Sequence, residues 1–206
     1  MKTELFSRYP ALKVCEKDID AALQLMRNTY KSGGTIYVCG NGGSCSDSDH
    51  IVGELMKGFL LRRELTCEQK KKFTDMFPED ADMAEKFQGA IPAVSLTAQS
   101  AIISAFANDV DPDLVYAQLV YGYARENDLV IGLSTSGNSK NVVNAIKAAK
   151  AKGAKTLSMT GERESKLSKL CDTTIRVPDI ETFKIQEYHL PVYHYLCAAL
   201  EKEIFG

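Results

Sequence analysis

Apolar positions along the chain change their period more than once. Leu12, Val14, Ile19, Ala22, Leu23, Leu25 and Met26 recur at helical spacing and predict one long amphipathic helix in an N-terminal segment, residues 1–33, ended by Gly33 and Gly34. The pattern then shortens into runs of apolar and β-branched residues. These are TIYVCG (35–40), IPAVSL (91–96), DLVIGL (128–133), AKTLSMT (154–160) and TTIRVP (173–178). Each reads as a strand. Helical patterns separate them at about 47–60, 100–106 and 113–125, again after Ser139, and over 182–203. Pro191 falls inside the last pattern and predicts a kink or loosening there, because proline removes one helical hydrogen bond.

Strand–helix alternation of this kind predicts an α/β fold with a parallel sheet covered on both faces. Ligands in such sheets bind beyond the carboxyl ends of the strands. Residues 61–90 break the alternation with a charged insertion containing QKKKF and PEDADMAEKF, read as a solvated surface excursion. No repeat, linker or low-complexity tract divides the chain, so residues 1–206 form one domain.

Composition narrows the function classes. Apolar residues make up 45% and charged residues 25% of the chain, enough for a full globular core. A net charge of −2 argues against generic binding to nucleic acid. No apolar run is long enough to span a bilayer, and the start of the chain has no secretory leader pattern. The six cysteines form no C-x-x-C pair, and Cys39, Cys171 and Cys197 lie in apolar runs. Together these features point to a soluble, reduced, cytoplasmic protein.

Two strand ends carry the chemistry. After DLVIGL the chain places Ser134, Thr135, Ser136, Gly137 and Ser139 ahead of a helix. The first N–H groups of a helix lack internal acceptors and stand at the positive end of its dipole. Four hydroxyls beside them make a phosphate-sized anion site. One residue would suffice as a plain helix cap, which is the alternative. No lysine lies within the turn and no Walker pattern is present, so nucleotide hydrolysis is not implied. After TIYVCG come Asn41, Gly42, Gly43 and Ser44. Glycines there permit positive φ or close backbone approach, in a ligand loop or in a simple turn.

Three histidines complete the inventory. His50 and Glu54, four apart, share a helix face, as many surface pairs do. His189 and His194 stand in the apolar stretch FKIQEYHLPVYHYL, where a histidine usually satisfies a core hydrogen bond. Gln186 and His194, eight apart, differ in direction by roughly 80° on a regular helix and reach toward one point.

The combination G-N-G-G-S, H-x-x-x-E, S-T-S-G-N-S and Q-E-x-H-x-x-x-x-H resembles the sugar isomerase (SIS) domain family, and within it the isomerases of seven-carbon sugar phosphates. The resemblance runs from about residue 35 to the end of the chain. It implies a three-layer αβα sandwich of flavodoxin-like kind and a ketose–aldose isomerase working through an enediol. It implies that Ser134, Thr135, Ser136 and Ser139 hold the sugar phosphate. Asn41, Gly42, Gly43 and Ser44 would line the sugar, with Gln186, Asn108 and Asp109; the last two read otherwise as a simple Asn-Asp turn. His50, Glu54, Gln186 and His194 match the family's zinc set, one ion per subunit, and Glu54 and His194 its acid/base pair. The family resemblance also implies a homotetramer with sites shared between subunits. The competing readings are a non-catalytic phosphosugar-binding or replication-initiator-associating protein of the same family, and an isomerase of another sugar phosphate.

Overall fold

The computed structural model describes all 206 residues. The N-terminal segment contains α1 (Lys2–Arg8), a tight turn of 3-10 helix (Pro10–Cys15) and α2 (Glu16–Lys31). The single long helix expected there is therefore a correction. Proline disfavours helical backbone in the residue before it, and Tyr9 takes φ −130° and ψ 71°. Val14, counted with the apolar face, is 75% exposed.

The strands and helices then alternate. β1 (Ile36–Gly40) leads into α3 (Gly43–Met56), which begins four residues earlier than its apolar pattern suggests. The charged insertion carries two short helices, α4 (Cys67–Met76) and α5 (Ala81–Lys86). β2 (Ala93–Ser95), α6 (Ser100–Asp109), α7 (Val115–Tyr123), β3 (Leu129–Leu133) and α8 (Lys140–Ala151) follow. β4 (Lys155–Thr160), α9 (Lys166–Leu170), β5 (Thr173–Arg176) and α10 (Thr182–Phe205) close the chain.

All strands are parallel and stand in the order β2-β1-β3-β4-β5. Side chains alternate between the two faces of a strand, so a strand covered on both sides is apolar throughout. Ile36, Val38, Leu129, Ile131 and Leu133 join the larger core with α2, α3 and α10. Tyr37, Cys39 and Val130 point the other way, into a core built with α7 and α8. The order reverses between β1 and β3, and that switch point is where this type of sheet opens a crevice for a ligand. The serine turn follows β3 and the glycine turn follows β1, so both flank the crevice.

α10 runs from Thr182 to Phe205 as one helix with Pro191 buried within it, so the proline does not end the helix. One further expectation changes. The insertion is only partly a solvated excursion. An antiparallel bridge between Glu64 and Gln88 closes its neck, a capping box at Thr66 starts α4, and Phe73 packs on Phe77 and Phe87. Arg63, at its root, is fully buried against Glu201. All six cysteines are free, with Cys15, Cys39 and Cys197 buried.

Candidate active site

The serine turn after β3 gathers its hydroxyls. Ser134 Oγ stands 3.0 Å from Ser139 Oγ and 3.5 Å from Ser136 Oγ. Gly137 turns the backbone at φ +64°, and its Cα lies so close to the Ser165 hydroxyl that no side chain fits. Asn138 holds the turn from outside: its side chain donates to Ser136 O at 2.8 Å and accepts from Lys166 N–H at 3.0 Å. Ser139 occupies the N-cap position of α8, yet its side chain makes no capping hydrogen bond. The plain cap reading is thereby set aside. Lys140 is drawn away to Asp113 at 2.9 Å. Thr135, Ser136 and Asn138 line a cleft of about 210 Å³ that also takes in Arg163, the one cationic side chain of its lining.

The glycine turn after β1 is braced from two sides. The Asn41 and Asn141 amides exchange two hydrogen bonds, at 2.8 and 2.9 Å. Buried Tyr116 donates to Gly40 O at 2.9 Å. Sequence reasoning missed both partners. Asn141 sits two residues past Ser139, close enough to the serine motif to have been noticed; nothing in the sequence marks Tyr116. Gly42 takes φ +56°, and a Cβ on Gly43 would stand 2.5 Å from the Gln186 amide nitrogen. Gln186 of α10 thus lies on the N-terminal end of α3.

Further along α3, His50 Nε2 is 3.2 Å from Glu54 Oε1. From α10, His194 brings its Nε2 to 3.5 Å from the same nitrogen of His50. Burial, then the charge of His50, lower the pKa of His194, against the pull of Glu54. His50 Nδ1 is 2.9 Å from the Tyr193 hydroxyl, which donates to Asp47 Oδ1 at 3.1 Å. Burial raises the pKa of the Tyr193 hydroxyl, and the Asp47 charge raises it further, so the phenol stays protonated. His189, by contrast, turns into the core toward Thr160 O.

Arg63 and Glu201 hold α3 and α10 in this register. The Arg63 guanidinium donates to Glu54 O at 2.7 Å and Leu55 O at 2.5 Å, which are carbonyls freed at the end of α3. Its Nε donates to Glu201 Oε1 at 2.7 Å. Glu201 also accepts from the backbone N–H of Phe59, Leu60 and Leu61. These bonds and Arg63 hold its carboxyl below the usual range, although burial opposes them. Phe59 in turn packs its ring 5.6 Å from that of His194.

Of the expected site residues, the structure brings His50, Glu54 and His194 together and gathers the serine hydroxyls. It sets Gln186 on Gly43, about 12 Å along the helix axis from His194. Asn108 and Asp109 end α6 on the surface, bonded to each other at 2.8 Å rather than to either turn. No three His, Cys, Asp or Glu side chains are grouped so that they could hold a metal ion. The donor chemistry nevertheless suits a cation. A tetrahedral metal with ligands at about 2.1 Å separates its donor atoms by about 3.4 Å, close to the two spacings around His50 Nε2. His50 Nε2 thus stands beside a carboxylate oxygen and a second imidazole nitrogen.

This geometry places the chain in a class: a flavodoxin-like sheet with a hydroxyl-lined turn at its switch point and a His–Glu–His group on the neighbouring helices α3 and α10. The SIS domain model matches residues 88–188. A phosphoheptose isomerase of Akkermansia muciniphila is 33% identical over 96% of this chain and 92% of its own length. That of Pelobacter propionicus is 32% identical over 99% and 97%. The solved structure of phosphoheptose isomerase GmhA from Neisseria gonorrhoeae superposes with a TM-score of 0.76 at 28% identity, covering 97% of this chain and 94% of that one. The chain belongs to the phosphoheptose isomerase family of SIS-domain proteins.

Proposed function

We propose that the protein is a ketose–aldose isomerase that interconverts sedoheptulose 7-phosphate and D-glycero-D-manno-heptose 7-phosphate through an enediol. The observation that carries the reading is the meeting of Glu54 and His194 at His50, on helices that also bear the glycine turn and Gln186. Ser134, Thr135, Ser136 and Ser139, with the first N–H groups of α8, bind the phosphate. Asn41, Gly42, Gly43 and Ser44 face the sugar. Glu54 removes the proton from C1 of the ketose and returns it at C2. His194 moves the matching proton between the O1 and O2 oxygens. A base near the carbon and an acid near the oxygen are what an enediol path requires.

His50, Glu54 and His194 would hold a zinc ion, one per subunit; the family resemblance adds Gln186, which in this structure lies on Gly43 instead. When bound, that ion polarises the carbonyl and hydroxyl oxygens of the substrate. A carboxylate bound to a metal would be a weaker base, and Glu54 would serve as both ligand and base. We further propose a cytoplasmic homotetramer. α6 buries none of its residues and ends at Asn108 and Asp109, which a neighbouring subunit's site would use. Six unpaired thiols suit a reducing compartment.

Proton NMR of the protein with sedoheptulose 7-phosphate and zinc in D₂O tests the reaction. An aldose signal with deuterium at C2 is the expected result. Line broadening of the ligand without product would point instead to a binding protein or another sugar. Glu54→Gln abolishes the exchange and leaves sugar phosphate affinity within about tenfold; normal turnover by that variant would remove Glu54 from the role of base.

A further inference from the structure

One pair of side chains ties the two small-residue turns together. Asn41 directly follows β1 and opens the glycine turn, and Asn141 is the second residue of α8, just past the serine turn. They are 100 positions apart in the chain. β1 and β3 are neighbours at the switch point, so the pair spans the crevice there. Asn41 Nδ2 donates to Asn141 Oδ1 at 2.8 Å, and Asn141 Nδ2 donates back to Asn41 Oδ1 at 2.9 Å. Turning either amide alone would set oxygen against oxygen and N–H against N–H. Turning both would break a third bond: Val142 N–H donates to Asn141 Oδ1 at 3.0 Å, and an amide nitrogen has no lone pair to accept it. The exchange therefore has one polarity.

An amide side chain offers two N–H groups and one oxygen with two lone pairs. The exchange uses one of each on Asn41 and leaves one of each. Tyr116 sends its proton to Gly40 O at 2.9 Å and stands 3.4 Å from Asn41 Oδ1. We infer that Asn141 is a positioning residue that presents the Asn41 amide to the sugar in a fixed orientation. The inference rests on the isomerase reading, which puts the sugar at Asn41 and the phosphate at the serine turn. Asn41 is exposed, and without its partner the side chain would rotate freely. A group ordered before the ligand arrives does not lose that freedom on binding. Asn141 also serves the other turn, because its own N–H is in the first turn of α8 and has no acceptor within the helix. One residue thus sets the sugar-facing amide from the helix end that takes the phosphate.

Calorimetric affinities for sedoheptulose 7-phosphate and for inorganic phosphate test this in the full chain, in Asn141→Ala, Asn41→Ala and the double variant. Alanine is the strongest helix former, so Asn141→Ala keeps α8. That variant should bind the sugar phosphate about 5- to 10-fold more weakly, the scale of one net hydrogen bond. Its affinity for inorganic phosphate should stay within about twofold of the parent's, which also shows that the serine turn is intact. The double variant should lose no more than Asn41→Ala alone, because Asn141 acts through Asn41. Losses that multiply in the double variant overturn the proposal, since Asn141 would then act on its own. An equal loss of affinity for both ligands overturns it as well, as damage to the serine turn. So does sugar phosphate affinity within about twofold of the parent in Asn141→Ala. A parent protein that binds the sugar phosphate no better than inorganic phosphate removes the sugar from Asn41 and has the same consequence. If the affinities behave as expected and sedoheptulose 7-phosphate is not converted, the isomerase reading falls and the positioning role of Asn141 stands.

Discussion

His189 and His194 are the same residue type on the same helix, and the fold gives them opposite tasks. Five residues turn a helix by about 140°, so one ring enters the core and the other reaches α3. His189 is completely buried, with Nε2 3.5 Å from Thr160 O and Nδ1 without a partner. Burial pushes its pKa down to about 4, so it is neutral in the folded protein. His194 keeps solvent access and meets a second imidazole beside a carboxylate. The lesson is that the pattern Q-E-x-H-x-x-x-x-H does not say which histidine is buried and which reaches α3; the helix face does.

The largest test of that contrast is His194→Gln. Loss of a positioned proton carrier costs about 10²- to 10⁴-fold in kcat. The melting temperature should stay close to the parent's, since the side chain is not in the core. A drop in stability with retained kcat would reverse the two histidines' roles.

His189 gives the next largest effect, and it appears in stability against pH. Its folded pKa lies below the ordinary value of 6.5, so the unfolded chain binds the proton first as pH falls. Its contribution is complete above about pH 6.5 and is lost progressively down to about pH 4. A shift of that size corresponds to about 3 kcal/mol. Urea unfolding of the parent and of His189→Leu at pH 7.5 and pH 5 should show the parent losing more stability on acidification. Equal losses would mean that another group carries the transition.

The smallest effect is expected at Pro191, between the two histidines. The helix continues through it to His194. Pro191→Ala should leave kcat/KM within about tenfold. A fall of about 100-fold, the scale of a 1 Å misplacement, would show that the proline sets His194.

Much of the architecture was legible in the sequence. The run LVIGL (129–133) carries no polar side chain because both faces of a central strand are covered, and it forms β3. The serine turn was legible because small hydroxyl residues between strand and helix have few other uses. The N-terminal helix was misread where proline chemistry at Pro10 outweighed apolar periodicity. The roots of the insertion were misread for a different reason. Arg63 looks like one more surface charge among QKKKF and its neighbours, and only the distant Glu201 gives it a reason to be buried. Breaking a buried ion pair by removing one partner typically costs about 3–5 kcal/mol. Residues that meet a partner more than a hundred positions away, as Tyr193 meets Asp47 and His50, leave no local signal.

The sequence by itself determined most of the elements, the parallel sheet, and the two small-residue turns after β1 and β3, because periodicity, glycine and hydroxyl chemistry act locally. The tertiary structure decided which histidine joins Glu54, which charge is buried, and which tyrosine meets His50. Those outcomes depend on which faces of α3 and α10 meet, and that is set by packing across the whole sheet.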